Sequence, residues 1–455
     1  MSVDIPYINW QKERLQSDPD GTALIWRDTL YTRGQLLNEV NRSLEALSGG
    51  NIEPGCIVAV VGDYSPSSIA RFLALIERNC IVLPLMPTSP GWEKQVFRIA
   101  QVSQCLREGN ESVTKIDIDH SEPTHPLVAE LRKRQHAGLV LFSSGSSGQP
   151  KAILHDLEAL LSPMRTDGRM MKALSFLLFD HIGGFQTLFH TLAHLGCLVV
   201  PQNRSASEVC RTIALHQVEL LPTSPTFLNL LLLEEAHKIH DLSSLRLVTY
   251  GTEAMPERTL KKAISAMPLA KFKQTYGSSE LGILRSRSAA NDSLLVQVGG
   301  QGHEVKIVDG RLFIRASGAM MGYLNAESPF DEQGWFDTGD AVVEEGEYCR
   351  IIGRESDIIN VGGQKVFPIE VEEVIAELPE VDQVTVMGET HLLLGQTVVA
   401  EVQTKTSLTN LEIKKRIQAH CRDRLQPFMI PSKVRKVAQT GVTERFKKVR
   451  ANPHS

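Results

Sequence analysis

Two kinds of pattern alternate along the first 350 residues of the chain. Compact apolar runs, CIVAVVG (56–62), CIVLPL (80–85), GLVLF (138–142), CLVVP (197–201) and LRLVTYG (245–251), have the length and β-branched content of buried strands. Between them lie segments with apolar residues every three or four positions: YSPSSIARFLALIERN (64–79), SASEVCRTIALHQ (205–217) and MPERTLKKAISAM (255–267). The alternation predicts α/β-layered, mainly parallel sheets covered by helices. From about Leu294 the texture becomes β-rich, as in HEVKIVDGRLFIRASG (303–318), where Asp309-Gly310 signals a hairpin turn between two alternating runs.

After EYCRIIGRESD (347–357) the pattern reads helix (369–378), strands (381–389 and 396–404) and helix (409–425), enough for a small α+β domain. The expected division is a large N-terminal domain over 1–353 and a smaller, mobile C-terminal domain over 354–455. The stretch from Glu108 to His136 is polar and poorly patterned.

Composition narrows the function classes. Forty-eight basic against fifty-three acidic residues give a net charge of -5, with no long block of one sign, which argues against a nonspecific nucleic-acid or anionic-membrane binder. No apolar run approaches the roughly 20 residues of a membrane span, so none is expected. The opening MSVDIPYINWQKERLQ carries no secretory pattern, and the expected location is the cytoplasm. Seven scattered cysteines, an odd number without zinc-site spacing, read as reduced and mostly buried thiols.

The segment LVLFSSGSSGQPKAILHD (139–156) places a glycine-serine loop between two strand-like runs rather than between polar flanks. Such a loop turns tightly, presents backbone N–H groups to an anion, and has Lys151 for positive charge. It is not a Walker A loop, because Lys151 follows a proline, precedes an alanine and opens no helix pattern. Taken alone it is also compatible with an ordinary surface turn. Further motifs follow in order: TYGSSELG (275–282), GYLN (322–325), GWFDTGD (334–340), IIGRESDIINVGGQKVFPIEVEEVI (351–375) and TERFKKVR (443–450).

With these motifs, and with openings such as TALIWRDTLYTRGQLLNEVNRSLEAL (22–47), the chain resembles the adenylate-forming superfamily over nearly its whole length. That superfamily includes acyl- and aryl-CoA synthetases, adenylation domains of nonribosomal peptide synthesis, and luciferases. The resemblance implies an AMP-forming acid–thiol ligase. A small-molecule carboxylic acid attacks the α-phosphate of ATP, pyrophosphate leaves, and a thiol of CoA or of a carrier-protein phosphopantetheine takes the acyl group. An acyl carrier protein is therefore a possible partner. Also open are an amino-acid-activating enzyme and a noncatalytic nucleotide-binding relative.

Carried over motif by motif, the resemblance assigns Ser143, Ser144, Gly145, Ser146, Ser147, Gly148 and Lys151 to the β- and γ-phosphates. Glu280 would be the Mg²⁺ ligand, in a turn with Tyr276, Gly277, Ser278 and Ser279, the last reaching the α-phosphate. Asp340 would accept the ribose hydroxyls, with Arg354 as a second ribose contact, and Gly251, Thr252 and Glu253 would pack against adenine. Lys447 would stabilise charge at the reacting carboxylate and α-phosphate, with Lys448 as the alternative. Ser356, beside Arg354 and Asp357, would be the hinge, and VGGQKVFP (361–368) would line a pantetheine channel or be a plain hairpin turn.

Three positions depart from the family pattern: Phe446, where glycine is usual, Ser356, where Asp or Lys is, and Ser279, where threonine is common. In LLFDHIGGFQTLFHTLAHLG (177–196), Asp180 would pair with a substrate ammonium in the amino-acid reading, whereas His181 would lie beside the carboxylate in the acyl and aryl reading. The run into Gly183 and Gly184 favours His181. Gly184, Phe185, Thr223, Ser224 and Gly251 are the expected pocket residues for the acid.

Overall fold

The computed structural model describes residues 5–50, 52–110, 112–116, 124–144, 149–166, 168–300, 302–438, 440, 441, 443, 446 and 448. Two seven-stranded sheets organise the first part. One runs, in spatial order, Lys271–Gln274, Leu247–Tyr250, Leu220–Thr223, Lys172–Leu174, Cys197–Val200, Thr22–Trp26 and Thr29–Thr32, parallel except for its last pair. The other runs Gly322–Tyr323, Pro150–Asp156, Gly138–Ser144, Ile81–Leu85, Ile57–Val61, Gln104–Arg107 and Thr114–Lys115, parallel at its centre and antiparallel at both edges.

Alternation along the strands fixes how these sheets stack, because successive side chains point to opposite faces. Leu24 faces a core between the two sheets while its neighbour Ile25 faces a core on the outer side of the first sheet. Likewise Val58 and Val60 face the central core, and Ile57, Ala59 and Val61 face an outer one. The helices Pro66–Glu77 and Ile182–Ala193 fill the central layer and are apolar around most of their circumference for that reason. The first starts where the Ser65 hydroxyl accepts a bond from Ser68 N at 3.1 Å and Pro66 takes the first helical position.

A six-stranded antiparallel sheet follows, ordered Ser286–Ser288, Leu295–Val298, Tyr348–Arg354, Phe336–Glu345, Arg311–Ala316 and His303–Val308. The expected hairpin is there, with Asp309 (φ 50°) and Gly310 (φ 72°) both left-handed, as a two-residue turn that matches strand twist requires. This β-rich part starts earlier than its apolar texture indicates. Its first strand is tied to the edge of the first sheet by polar groups, Ser288 Oγ accepting from Gln274 N (2.9 Å) and Ser286 Oγ donating to Gln274 O (2.8 Å).

The polar stretch before His136 also contains an element without a visible period, the helix Pro126–Arg134, which buries only Val128 and Leu131. The C-terminal domain is a five-stranded sheet with the helices Pro368–Ala376 and Asn410–Arg422, around its own core from Ile359 to Val434. Among the described residues no helix is long and apolar enough to cross a membrane.

Candidate active site

Three neighbouring parallel strands end side by side at one edge of the first sheet. Leu220–Thr223 leads to Ser224 and the helix Pro225–Leu233, Leu247–Tyr250 to Gly251, and Lys271–Gln274 to Thr275 and Tyr276. Ligands in open α/β sheets bind outside such carboxyl ends. A cleft of about 1300 Å³ opens here, lined by Thr226, Gly251, Thr252, Glu253, Tyr276 and Gly277 on one side and by Asp340, Arg354, Glu372 and Lys448 on the other.

The TYGSSELG motif forms a small hairpin: Tyr276–Ser278 pairs antiparallel with Gly282–Leu284. A Cβ on Gly277 would come within 2.4 Å of Gly282 O, so only glycine allows the two strands to meet. Ser278 Oγ accepts from Leu281 N at 3.3 Å and closes the turn that carries Glu280. Below it His155 Nε2 donates to Ser279 O at 2.7 Å; burial drives the His155 pKa down to about 4, so the ring is neutral.

Two sets of contacts leave this hairpin. Tyr323 donates its hydroxyl to Glu280 Oε1 at 3.0 Å, and the Lys151 ammonium lies 4.9 Å from the centre of the same ring. Burial and the nearby Glu280 carboxylate raise the Tyr323 pKa, which keeps the phenol protonated as a donor. Asn325 clamps the strand bearing Lys151, accepting from Ala152 N (2.9 Å) and donating to Pro150 O (2.8 Å). On the other side Tyr276 donates its hydroxyl to Asp340 Oδ2, while Arg354 Nε reaches Asp340 Oδ1 at 3.2 Å. Burial pushes the Asp340 carboxyl above the usual range against the pull of Arg354 and the Tyr276 hydroxyl.

Of the glycine-serine loop, Ser143 pairs with Lys151 and Ser144 with Pro150 in the hairpin register. Gly145, Ser146, Ser147 and Gly148 lie outside the described residues, as does the side chain of Ser144. Thr252 has φ 74°, a strained conformation for a β-branched residue, and its buried hydroxyl has no partner among the described residues. Glu253 bridges two parts of the fold, accepting from Thr226 N at 2.8 Å and from Lys448 N at 3.5 Å.

His181 caps the helix Ile182–Ala193, its Nδ1 accepting from Gly183 N at 3.1 Å. Asp180 Oδ2 accepts from Met86 N at 3.3 Å and so ties this turn to the neighbouring sheet. Gly184 and Phe185 are buried against the core between the sheets, the Phe185 ring 4.6 Å from that of Phe189, and neither lines this cleft.

Lys447 lies outside the described residues. The Lys448 ammonium is held within the C-terminal domain by Glu372 Oε2 (2.7 Å) and Val384 O (3.1 Å). Phe446 keeps the left-handed backbone that a glycine favours, with φ 51° and its N–H on Thr443 O at 2.9 Å. Ser356 donates to Asp357 Oδ1 at 3.2 Å in a short helical turn, and Gly362-Gly363 forms the two-residue turn of a hairpin.

Tyr323 and Asn325 fall in the GYLN motif, whose pattern marks the place but not the task. His155 stands in an apolar strand with nothing in its neighbours to single it out.

The AMP-binding enzyme family model matches residues 12–324, and that of the AMP-binding enzyme C-terminal domain matches 370–447. The indoleacetate–CoA ligase of Aromatoleum aromaticum is 26% identical over 86% of this chain and 87% of its own length. The solved structure of the anthranilate CoA ligase AuaEII in complex with anthranoyl-AMP matches with a TM-score of 0.81 at 19% identity, over 99% of this chain and 96% of that one. The amide bond synthetase McbA from Marinactinospora thermotolerans matches with a TM-score of 0.80 at 22% identity, over 98% of each chain. At these identities the structural likeness is one of fold.

Proposed function

Because the chain belongs to the family of AMP-binding enzymes, we propose that it joins a carboxylic acid to a thiol by way of an acyl-adenylate, at the expense of ATP. The observation that carries the reading is the contact chain Lys151–Tyr323–Glu280 beside Tyr276–Asp340–Arg354, which gathers residues of five distant sequence segments at one place.

In the first step a carboxylate approaches a polyanion. Each like-charge contact near 4 Å costs roughly 4 kcal/mol at an effective dielectric of 20, so cations have to stand ready around the phosphates. Lys151, held against the Tyr323 ring at the base of the glycine-serine loop, supplies one for the β- and γ-phosphates. Asp340 has two oxygens for the two ribose hydroxyls, and the strained turn Gly251-Thr252-Glu253 forms the wall for adenine. Lys447, four residues after Thr443, supplies the ammonium for the reacting oxygens.

The residues present suit Mg²⁺. Among the described residues no cluster of three His, Cys, Asp or Glu side chains could form an all-protein cage. The single carboxylate of Glu280 beside substrate phosphates is a donor set this ion takes. Bound there, the ion would offset phosphate charge.

Residues 1–353 hold ATP and the acid in this reading, and 354–455 swing about Arg354 to Asp357 between the two half-reactions. His181 rather than Asp180 is assigned to the acid in this reading, on the run into Gly183 and Gly184, and the acid is accordingly one without an ammonium group. CoA is the acceptor favoured by the name of the Aromatoleum relative. A cytoplasmic setting, where ATP is available, agrees with the free state of all seven cysteines.

The test is acid-dependent pyrophosphate exchange over a panel of acids, followed by mass measurement of the thioester formed with CoA or with a supplied carrier protein. Absence of exchange with every acid, together with nucleotide binding that Lys447→Ala leaves unchanged, would overturn the reading.

A further inference from the structure

The C-terminal tail enters the large domain at one aromatic side chain. The Phe446 ring stands 5.0 Å from Phe176 and 5.2 Å from Phe227, edge-on to the latter at 78°, and those two rings are 4.1 Å apart. All three join the apolar core on the outer side of the first sheet. Ser224 Oγ donates to Phe446 O at 2.8 Å while accepting from Phe227 N at 3.1 Å, so one hydroxyl caps a helix and anchors the tail. The left-handed φ of Phe446 is disfavoured in a residue with a side chain, which makes the ring an addition to the turn and not a requirement of it.

The place where the ring enters is built like a binding site. Phe176 follows strand Lys172–Leu174, Ser224 follows Leu220–Thr223 and Gly251 follows Leu247–Tyr250, all at carboxyl ends of adjacent parallel strands. At the ends of the same strands the hydroxyls of Thr223, Thr226 and Thr252 are buried without a hydrogen-bond partner among the described residues, and so can bond a polar group brought there. Thr226 and Thr252 also line the cleft.

We propose that Phe446 is a specificity-determining wall of the acyl site, contributed by the C-terminal tail, and that it restricts the enzyme to compact acids. The inference rests on the ligase reading above. Phe446 is one peptide bond from Lys447, so the segment bearing the adenylating lysine also carries the side chain that gauges the acid. A bulky acid must displace the ring from its place against Phe176 and Phe227, and with it the tail. A compact acid, entering from the cleft past Thr226 and Thr252, need not displace it.

The experiment compares wild type with Phe446→Gly, Phe446→Ala and Phe446→Leu in acid-dependent pyrophosphate exchange, using straight-chain acids of increasing length and their phenyl-substituted counterparts. Glycine suits the left-handed backbone and removes the ring; leucine preserves an apolar anchor with less bulk, and thermal unfolding verifies that each variant is folded. The expected result is a rise of about tenfold or more in the ratio of kcat/KM for bulky over compact acids in the glycine and alanine variants, a smaller rise for leucine, and an unchanged KM for ATP.

A uniform loss of rate, meaning that the ring only anchors the tail, or a uniform gain, meaning that it only obstructs the site, would overturn the inference while leaving the ligase reading intact. No exchange by wild type or any variant would overturn the ligase reading and the inference with it.

Discussion

Asp340→Asn separates what a buried carboxylate does for ATP from what it does for folding. The residue is 8% exposed, and its carboxylate holds Tyr276 on one oxygen and Arg354 on the other. Burial raises its pKa, and an acid whose folded pKa lies above its unfolded one loses stability as pH rises through the folded value. Ionised Asp340 therefore detracts from stability near neutral pH, and the detraction fades as pH falls into the ordinary carboxylate range. Asparagine has nearly the same shape. Its oxygen can accept from Arg354, and its amide can donate to the Tyr276 phenol, which also accepts.

The variant should thus melt at or above the wild-type temperature at pH 7, with the difference shrinking toward pH 4. Function should move the other way. A carboxylate accepting two ribose hydroxyls contributes roughly 1.5–3 kcal/mol per bond, of which a neutral amide retains only part. The loss is about 2–4 kcal/mol, or roughly 30- to 1,000-fold in the KM for ATP. Melting curves across pH and initial rates of pyrophosphate exchange against ATP supply both numbers. A folded Asp340→Asn enzyme with unchanged KM for ATP would refute the ribose assignment, and a marked fall in melting temperature at pH 7 would refute the electrostatic argument.

Tyr323→Phe keeps the ring beneath Lys151 but removes the hydroxyl on Glu280; losing a hydrogen bond to a charged group should lower kcat about 10- to 100-fold while KM for the acid barely changes, read by steady-state kinetics. Lys447→Ala should abolish adenylation with normal melting, whereas Lys448→Ala should chiefly destabilise, by about 3 kcal/mol or more in denaturant titration, because it leaves buried Glu372 without its ammonium; the reverse assignment would show in the same two assays. His155 has a pKa of about 4 when folded against 6.5 when free, so its contribution is complete above pH 6.5 and lost as pH falls toward 4, roughly 3 kcal/mol in all. His190, also buried with a pKa of about 4, adds to the same slope, and His155→Gln should flatten it by about half while still donating to Ser279 O.

The sequence by itself determined the layers and the list of parts. Strands such as Ile57–Val61 and helices such as Pro66–Glu77 are local matters of apolar spacing and capping, and both are visible in a window of a dozen residues. The hairpin at Asp309-Gly310 follows from two residues that tolerate a left-handed backbone. The site residues Lys151, Glu280, Asp340 and Arg354 stand in ordered motifs, so their identity is legible from the chain, as is membership of the adenylate-forming superfamily. Where the local signal is weak the reading fails: the helix Pro126–Arg134 buries two side chains, too few to show a period, and Ser286–Ser288 is tied to the neighbouring strand Lys271–Gln274 of another sheet by serine hydroxyls that no hydrophobic pattern reports.

Only the tertiary structure decided which atoms meet. Tyr323 reaches Glu280 across 43 residues of chain, Tyr276 reaches Asp340 across 64, and Ser224 reaches Phe446 across 222. It also decided that Phe185 is core while Phe446 stands among the aromatic rings beside the cleft, though on the chain the first falls in a pocket-like motif and the second in a charged tail. The physical reason is that periodicity fixes which face of an element is apolar, whereas the partner of each face depends on how sheets and helices stack, a property of contacts between residues that no local window contains.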